Sequence, residues 1–488
     1  MSRNRLKRGA GIYLSITSLP SPYGIGTIGE EAHHFIDTLS DLRQRYWQIL
    51  PVGPTSYGDS PYQSYSAFAG NPYLIDLDSL ISQGFLDKEE VEGYCWGTDK
   101  IVIDYTALYE NRITILRKAY QRFDIHSNDF LAFNKEQSFW LEDYSFFMAA
   151  KTISADQPWF EWETGLRNRD PVRMEEFRQQ AAAEIGFWQF CQYEFFTQWN
   201  QLMKYAYNKG VKIIGDIPLY VALDSVDVWA GREQFLLAED GLPLMVAGTP
   251  PDGLAIEGQK WGNPLYDWSY METDGFDWWR ERIRWAGRMF DIIRIDHFIG
   301  IARYYSIPVQ EECAQGGRWN KGPGKKLTDV IEAELGYGRV VADDLGSTVP
   351  AARKLQQRIG WPGMKMLLLA FDGNTANEHL PHNYSDGNLV LYTGTHDSDT
   401  IVGFFRDKTD YELAFLYEYM NINTKEEIPE AIFRKAYASV ADVVIMQMQD
   451  ILKLGNEARM NRPATFSGNS LEEERREWIR IMTTIYRR

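Results

Sequence analysis

The sequence predicts an α/β fold: a closed (β/α)8 barrel, the TIM barrel, with inserted, largely helical and loop-rich subdomains. Three observations carry this. Short apolar strands alternate with helical stretches about eight times, the number that closes a barrel. A long helix ends in Asn208-Lys209-Gly210 and runs straight into a strand, and helix, glycine loop and strand in succession argue for parallel pairing. Four strands finish on an acid, and the carboxyl ends of barrel strands are where this fold does its chemistry. The whole chain, 1–488, therefore reads as one barrel. Insertions are expected at 75–165, mostly helical, and at 223–285, loop-rich and bordering the active site.

In chain order, residues 10–16 form the first expected strand. Gly24-Ile25-Gly26-Thr27-Ile28-Gly29 fits a GxGxxG pattern, but Pro20 and Pro22 stand between it and the strand. A dinucleotide site needs a tight strand-to-helix turn, so a loop at the mouth of a pocket is the better reading. Residues 30–42 have helical spacing, and 46–52 read as the second strand. Loop 58–73 is dense in turn formers, hydroxyls and rings, which suits a binding surface or an Ω-loop packed on its own aromatics. Residues 81–160 are mostly helical in period, with Ile113, Leu116, Tyr120 and Phe123 as one stripe, and a long helix spans 174–207. Strands follow at 211–216, 290–297, 339–344, 364–370 and 388–393, with helical stretches between and after them. Residues 316–326 are glycine-rich and basic but lack the spacing of a phosphate-binding loop, so they read as solvated charge.

Composition narrows the partners. The formal charge is -17 with a pI near 5.0, which excludes the basic footprint of a nucleic-acid or anionic-membrane binder. No run approaches the ~18 apolar residues of a membrane span. The three cysteines, Cys95, Cys191 and Cys313, are far apart and odd in number, which points to a reducing, cytoplasmic setting. Aromatics make up 14% of the chain, with 16 Trp and 28 Tyr. Flat rings with a polar edge suit sugars, although a large core uses the same residues.

The chain is organised around Phe290-Asp291-Ile292-Ile293-Arg294-Ile295-Asp296-His297. Side chains alternate along a strand, so Arg294 and Asp296 share a face. Charge proximity to Arg294 is expected to hold Asp296 ionised, as a nucleophile requires, although an ion pair that merely caps a strand fits as well. Asp216, Asp343 and Asp397 follow three further strands. Several carboxylates at one end of a barrel repel each other, and their pKa values split into an ionised nucleophile and a protonated acid. That is the equipment for cleaving glycosidic bonds.

These strand ends, Arg294-Ile295-Asp296-His297, Val340-Val341-Ala342-Asp343-Asp344-Leu345-Gly346 and Tyr392-Thr393-Gly394-Thr395-His396-Asp397-Ser398-Asp399-Thr400, resemble those of the 4-α-glucanotransferases. That family, the amylomaltases or disproportionating enzymes, belongs with the α-amylases. Ser18-Leu19-Pro20-Ser21-Pro22-Tyr23-Gly24, residues 58–73, Gly215-Asp216-Ile217-Pro218, Trp261-Gly262-Asn263-Pro264-Leu265-Tyr266 and Arg459-Met460-Asn461 match it too, in order along nearly the whole chain. The resemblance implies transfer of α-1,4-glucan segments between maltooligosaccharides through a covalent intermediate on Asp296. Asp343 would serve as acid and base, and Asp397 would grip sugar hydroxyls and favour the distorted ring. Arg294 and His396 would support that subsite, with Tyr62 stacked beneath the sugar. Asp216, Gln259, Trp261, Asn263, Asp372 and Asn461 would lie along the cleft. The resemblance implies no metal and no organic cofactor, a glucan donor and acceptor, and neither nucleic acid nor membrane as partner.

Three departures from the family pattern stand out. The family reads Ala-Glu-Asp-Leu-Gly where this chain has Ala342-Asp343-Asp344-Leu345-Gly346. The shorter side chain withdraws its carboxyl by roughly 1 Å, on the scale that costs about a hundred-fold in rate, so reduced turnover is expected. Gly253-Leu254-Ala255 replaces a bulkier Tyr-Phe-Ser, and the tail after Asn469 differs. Two alternatives stay open: an α-amylase-type retaining hydrolase, and a glucan-binding protein with negligible catalysis.

Overall fold

A computed structural model describes residues 4–98, 102–251, 257–346 and 350–461. Twelve strands lie among them. In chain order they are β1 (Gly9–Tyr13), β2 (Tyr46–Gln48), β3 (Lys212–Ile217), β4 (Met245–Thr249), β5 (Gln259–Pro264), β6 (Ile292–Ile295), β7 (Arg303–Pro308), β8 (Arg318–Lys321), β9 (Val340–Ala342), β10 (Gly363–Met366), β11 (Leu389–Tyr392) and β12 (Val443–Gln447).

Eight of them form one sheet in the order β10-β11-β12-β1-β2-β3-β6-β9, every neighbouring pair parallel. Each strand thus neighbours the next barrel strand in sequence, and β12 returns beside β1. At the seam the Ala342 N–H donates to the Pro362 carbonyl (2.9 Å) and the Met364 N–H to an Asp344 oxygen (2.7 Å), bringing β9 and β10 together. The fold is the expected (β/α)8 barrel. All of β6 is buried, as a strand covered on both faces must be.

Seven barrel strands fall where apolar runs predict them, but several stop earlier at the carboxyl end: the chain after Tyr13 turns into a 3-10 helix at Ile16–Ser18. The eighth, β12, lies in a stretch expected to be helical. Its Val-Val-Ile-Met run is fully buried and follows a helix, Ile428–Tyr437, by six residues.

Between β2 and β3 the chain is helical, ending in Ala182–Asn208, which buries Phe187, Phe190, Phe195 and Trp199 against the barrel and its neighbouring helices. The expected 174–207 helix is broken at Ala181, whose backbone leaves helical geometry. Segment 223–285 holds more regular structure than a loop-rich reading foresees. It contributes β4, β5 and the helix Asp277–Met289, and with β7 and β8 it builds a second, antiparallel sheet in the order β5-β4-β7-β8. Gly248 is obligatory there, since a Cβ would lie 2.1 Å from the Gln259 carbonyl oxygen across the ladder.

Candidate active site

Four barrel strands deliver carboxylates to one end of the barrel. Asp216 lies within β3, Asp296 directly follows β6, Asp343 directly follows β9, and Asp397 is five residues past β11. Arg294, inside β6, gathers three of them. Its Nη1 lies 2.5 Å from Asp216 Oδ2 and 3.1 Å from Asp296 Oδ1, and its Nη2 lies 2.7 Å from Asp343 Oδ2. Exposure rises through the cluster: the side chains of Arg294 and Asp216 are 3% and 0% exposed, those of Asp343, Asp296 and Asp397 14%, 26% and 46%. The first two are therefore scaffold, and the last three open towards a ligand.

Tyr62 joins the halves of the site. Its hydroxyl donates to Asp216 Oδ2 (2.7 Å) and lies 3.2 Å from His396 Nδ1, while its ring stacks on the imidazole at 4.7 Å. Tyr13, from β1, approaches the same nitrogen at 3.2 Å. His396 Nε2 sits 3.2 Å from Asp397 Oδ2, and Asn461 Nδ2 donates to the other Asp397 oxygen. Arg459 braces this arm, donating to the Asp397 carbonyl (2.9 Å) and pairing with Asp399.

The electrostatics follow from two cations among four carboxylates. Burial pushes the Asp296 carboxyl up to about 7; Arg294 opposes this, and Asp216 and Asp343 reinforce it. The expectation that Arg294 holds Asp296 ionised is thus corrected, because burial, reinforced by Asp216 and Asp343, outweighs the guanidinium. Burial would raise the Asp397 carboxyl as well, yet His396, Asn461 and Arg294 hold it far below the ordinary carboxylate range. Burial works against a charged His396, but its pairing with Asp397 raises its pKa overall. Burial and Asp216 keep the Tyr62 and Tyr13 hydroxyls protonated, hence donors.

Among the described residues the hydrogen-bond partners of the Asp343 carboxylate are donors: Arg294 Nη2 (2.7 Å), the His297 N–H (3.3 Å) and the Leu345 N–H (3.3 Å). Its neighbour Asp344 faces the seam instead, so one acidic pair serves two purposes. His297 has a left-handed backbone (φ 52°), a strained conformation for a non-glycine that tends to occur at functional sites. Burial brings its imidazole down to about 4, so the ring is neutral, and it meets Trp261 edge-on at 4.8 Å.

Gln259, Trp261 and Asn263 come from β5. Trp261 Nε1 donates to Gln259 Oε1 (3.0 Å), and Asn263 accepts from Gln63 Nε2 (3.1 Å) while donating to the Val221 carbonyl (2.8 Å). Asp372 is not joined to the Arg294 network: it lies exposed in the segment after β10 and accepts from the Asn374 N–H in its own turn (2.9 Å). Gly253-Leu254-Ala255 and the tail after Asn469 lie outside the described residues. Sequence reading passed over Tyr13, Gln63 and the bracing role of Arg459. Tyr13 gives no signal beyond a polar-tipped ring near a strand end, whereas Arg459 sits in a motif already singled out. Among the described residues no group of His, Cys, Asp and Glu has the arrangement of a metal site, and no helix is long and apolar enough to cross a membrane.

Known proteins share both sequence and architecture. The family model for 4-alpha-glucanotransferase, glycoside hydrolase 77, matches residues 14–471. A 4-alpha-glucanotransferase of Clostridium butyricum is 45% identical over 461 residues, covering 93% of this chain and 94% of the relative. One from Thermus thermophilus is 44% identical, covering 95% and 94%. The amylomaltase of Streptococcus agalactiae, solved in complex with acarbose, superposes with a TM-score of 0.92 at 39% identity, covering 98% of this chain and 96% of that one. By both measures, across almost its full length, this chain belongs to the 4-α-glucanotransferase family.

Proposed function

We propose that the protein transfers α-1,4-glucan segments from one maltooligosaccharide to another by a retaining double displacement. The observation that carries the reading is Arg294 holding Asp216, Asp296 and Asp343 together at the carboxyl ends of three adjacent strands, with the Tyr62–His396–Asp397 arm joined to them through Asp216. In the first step an Asp296 oxygen bonds to the anomeric carbon, the glycosidic C–O bond breaks, and the leaving oxygen takes a proton from Asp343. In the second, Asp343 accepts the proton of an incoming 4-hydroxyl as that oxygen displaces Asp296. Asp397 and His396 grip hydroxyls of the reacting ring, Tyr62 supports its face, and Asp216 and Arg294 fix the frame. Gln259, Trp261, Asn263, Asp372 and Asn461 extend the cleft on either side, with Trp261 offering a ring for a further sugar. No step calls for a metal or an organic cofactor.

Transfer in place of hydrolysis requires the glucosyl-Asp296 intermediate to meet a sugar before water. We propose that loop 58–73, which carries Tyr62 to the site, and the start of β5 shield that position, and we take 75–165 and 223–285 as inserted subdomains. The free, exposed Cys95 fits a reducing compartment, so we place the enzyme in the cytoplasm.

Incubation with maltotriose tests the reading. Glucose with a ladder of longer maltooligosaccharides is the expected product; maltose and glucose in equal amounts, with nothing longer, identifies a hydrolase. A second reading, a glucan binder with negligible turnover, is favoured by the donor-locked, retracted Asp343. Recovery of a glucosyl group covalently attached to Asp296 dismisses it.

A further inference from the structure

The segment that carries His396 and Asp397 leaves the barrel at Thr393, just past β11, and re-enters regular structure at Ile401, the first residue of the helix Ile401–Arg406. One side chain holds both ends. Asp450, two residues into the turn of helix Met448–Ile451 that follows β12, accepts from the Thr393 hydroxyl through Oδ2 (2.7 Å) and from the Ile401 N–H through Oδ1 (2.7 Å). Gln447, the last residue of β12, completes the arrangement. Its Nε2 donates to Asp450 Oδ2 (3.4 Å) and to Ser398 Oγ (3.4 Å), midway along the segment. Its backbone N–H donates to the Thr393 hydroxyl oxygen (3.2 Å).

Asp450 is 0% exposed, and among the described residues no basic side chain forms an ion pair with it. A buried carboxylate without a counter-ion is destabilising, and a neutral residue would close the core at lower cost. Burial pushes its carboxyl up to about 6, against the pull of Ile401, Thr393 and Gln447. What its two oxygens fix is the span of nine residues, 393–401, on which His396 and Asp397 ride.

We propose that Asp450 is a positioning residue for glucan binding and transfer: it clamps the two ends of segment 393–401 so that Asp397 is presented to the reacting sugar. It touches no substrate itself and acts through Thr393 and Ile401. The inference rests on the proposed role of Asp397, and the experiment separates the two.

Binding is measured calorimetrically with maltotetraose in an Asp296→Asn background, where no covalent intermediate forms. Asp397→Asn alone is expected to weaken binding five-fold or more; unchanged affinity there overturns the role of Asp397 itself. Asp450→Asn is expected to weaken binding about three-fold or more, but to add less than two-fold once Asp397→Asn is present, because both act on one contact. Losses that multiply, or an Asp450→Asn protein that binds normally, overturn the clamp. Thr393→Val, which keeps the branched shape and deletes the hydroxyl that donates to Asp450 and accepts from the Gln447 N–H, is the companion variant should Asp450→Asn fail to fold. It is expected to weaken binding with the same non-additivity, and normal binding overturns the proposal. With Asp296 intact, Asp450→Asn should lower kcat/KM on maltotriose about ten-fold, through both kcat and KM; a loss confined to thermal stability is the result of a merely structural role and also overturns it.

Discussion

Burial sets the behaviour of Asp296, and the one guanidinium beside it, shared with Asp216 and Asp343, does not offset it. With its carboxyl near 7 in the free protein, Asp296 is protonated and unable to attack at lower pH, so activity should rise as pH climbs through about 7, tenfold per unit below it. Asp216→Asn removes a neighbouring negative charge and leaves Arg294 freer to serve Asp296, and both changes favour the ionised form. The acid limb of kcat/KM on maltotriose should therefore move to lower pH even as the maximum falls; a limb that stays or moves up refutes this account. Asp343 is the second point of leverage. Asp343→Glu restores about 1 Å of reach, and the lengthened side chain can leave Arg294 for the leaving oxygen, so turnover should rise at least about ten-fold. Transfer rates unchanged between the two proteins would assign the slow step elsewhere. At this scale the sequence was informative about identities and weak on energetics: the acids at strand ends mark the site, whereas the shift of Asp296 arises from burial and from Asp216, 80 residues away in the chain.

Elements decide where loop 58–73 sits, and with it Tyr62. Gln192, buried in the middle of helix Ala182–Asn208, accepts from the Gly70 N–H (2.8 Å) and donates to the Gly70 carbonyl (2.9 Å). Asp227 accepts from the Ala67 N–H (2.8 Å), and the Val226 N–H donates to the Tyr65 carbonyl (2.9 Å). Helix Ala182–Asn208 and segment 223–285 thus grip the loop from two sides. Gln192→Leu keeps the volume but strands both Gly70 groups in the core, which should cost about 2–4 kcal/mol. A marked drop in the unfolding midpoint and weakened transfer through a loosened Tyr62 are expected; a loss under about 0.5 kcal/mol would show that the loop is held elsewhere. None of this was legible beforehand, because side chain to backbone bonds across 122 residues leave no periodic trace. The antiparallel sheet escaped for a related reason: β5 reads Gln-Lys-Trp-Gly-Asn-Pro, without the apolar alternation that marks a strand. β12 has that apolar character and was passed over because a buried run of five residues reads equally as helix.

Closing the ring is a property of the whole molecule. Eight strands in sequential order make it predictable from strand-helix alternation alone, since each helix returns the chain for one more parallel neighbour. What alternation leaves open is how the first and last edges join. Here the join of β9 to β10 includes Asp344, whose carboxyl takes the Met364 N–H while burial pushes it up to about 6. The sign of the consequence can be worked out. The folded chain holds this proton more tightly than the unfolded chain, whose carboxyl titrates near 4, so between about pH 4 and 6 the folded state binds more protons and loses stability as pH rises. Asp344→Asn keeps an acceptor for Met364 and removes the titration, and groups distant from it titrate alike in both proteins. The difference in thermal midpoint between Asp344→Asn and the parent should thus be smallest near pH 4 and grow in favour of the variant up to about pH 7, by the equivalent of about 1–3 kcal/mol. A difference that is flat across this range, or that grows in favour of the parent, would mean that the charged form of Asp344 is what holds the seam.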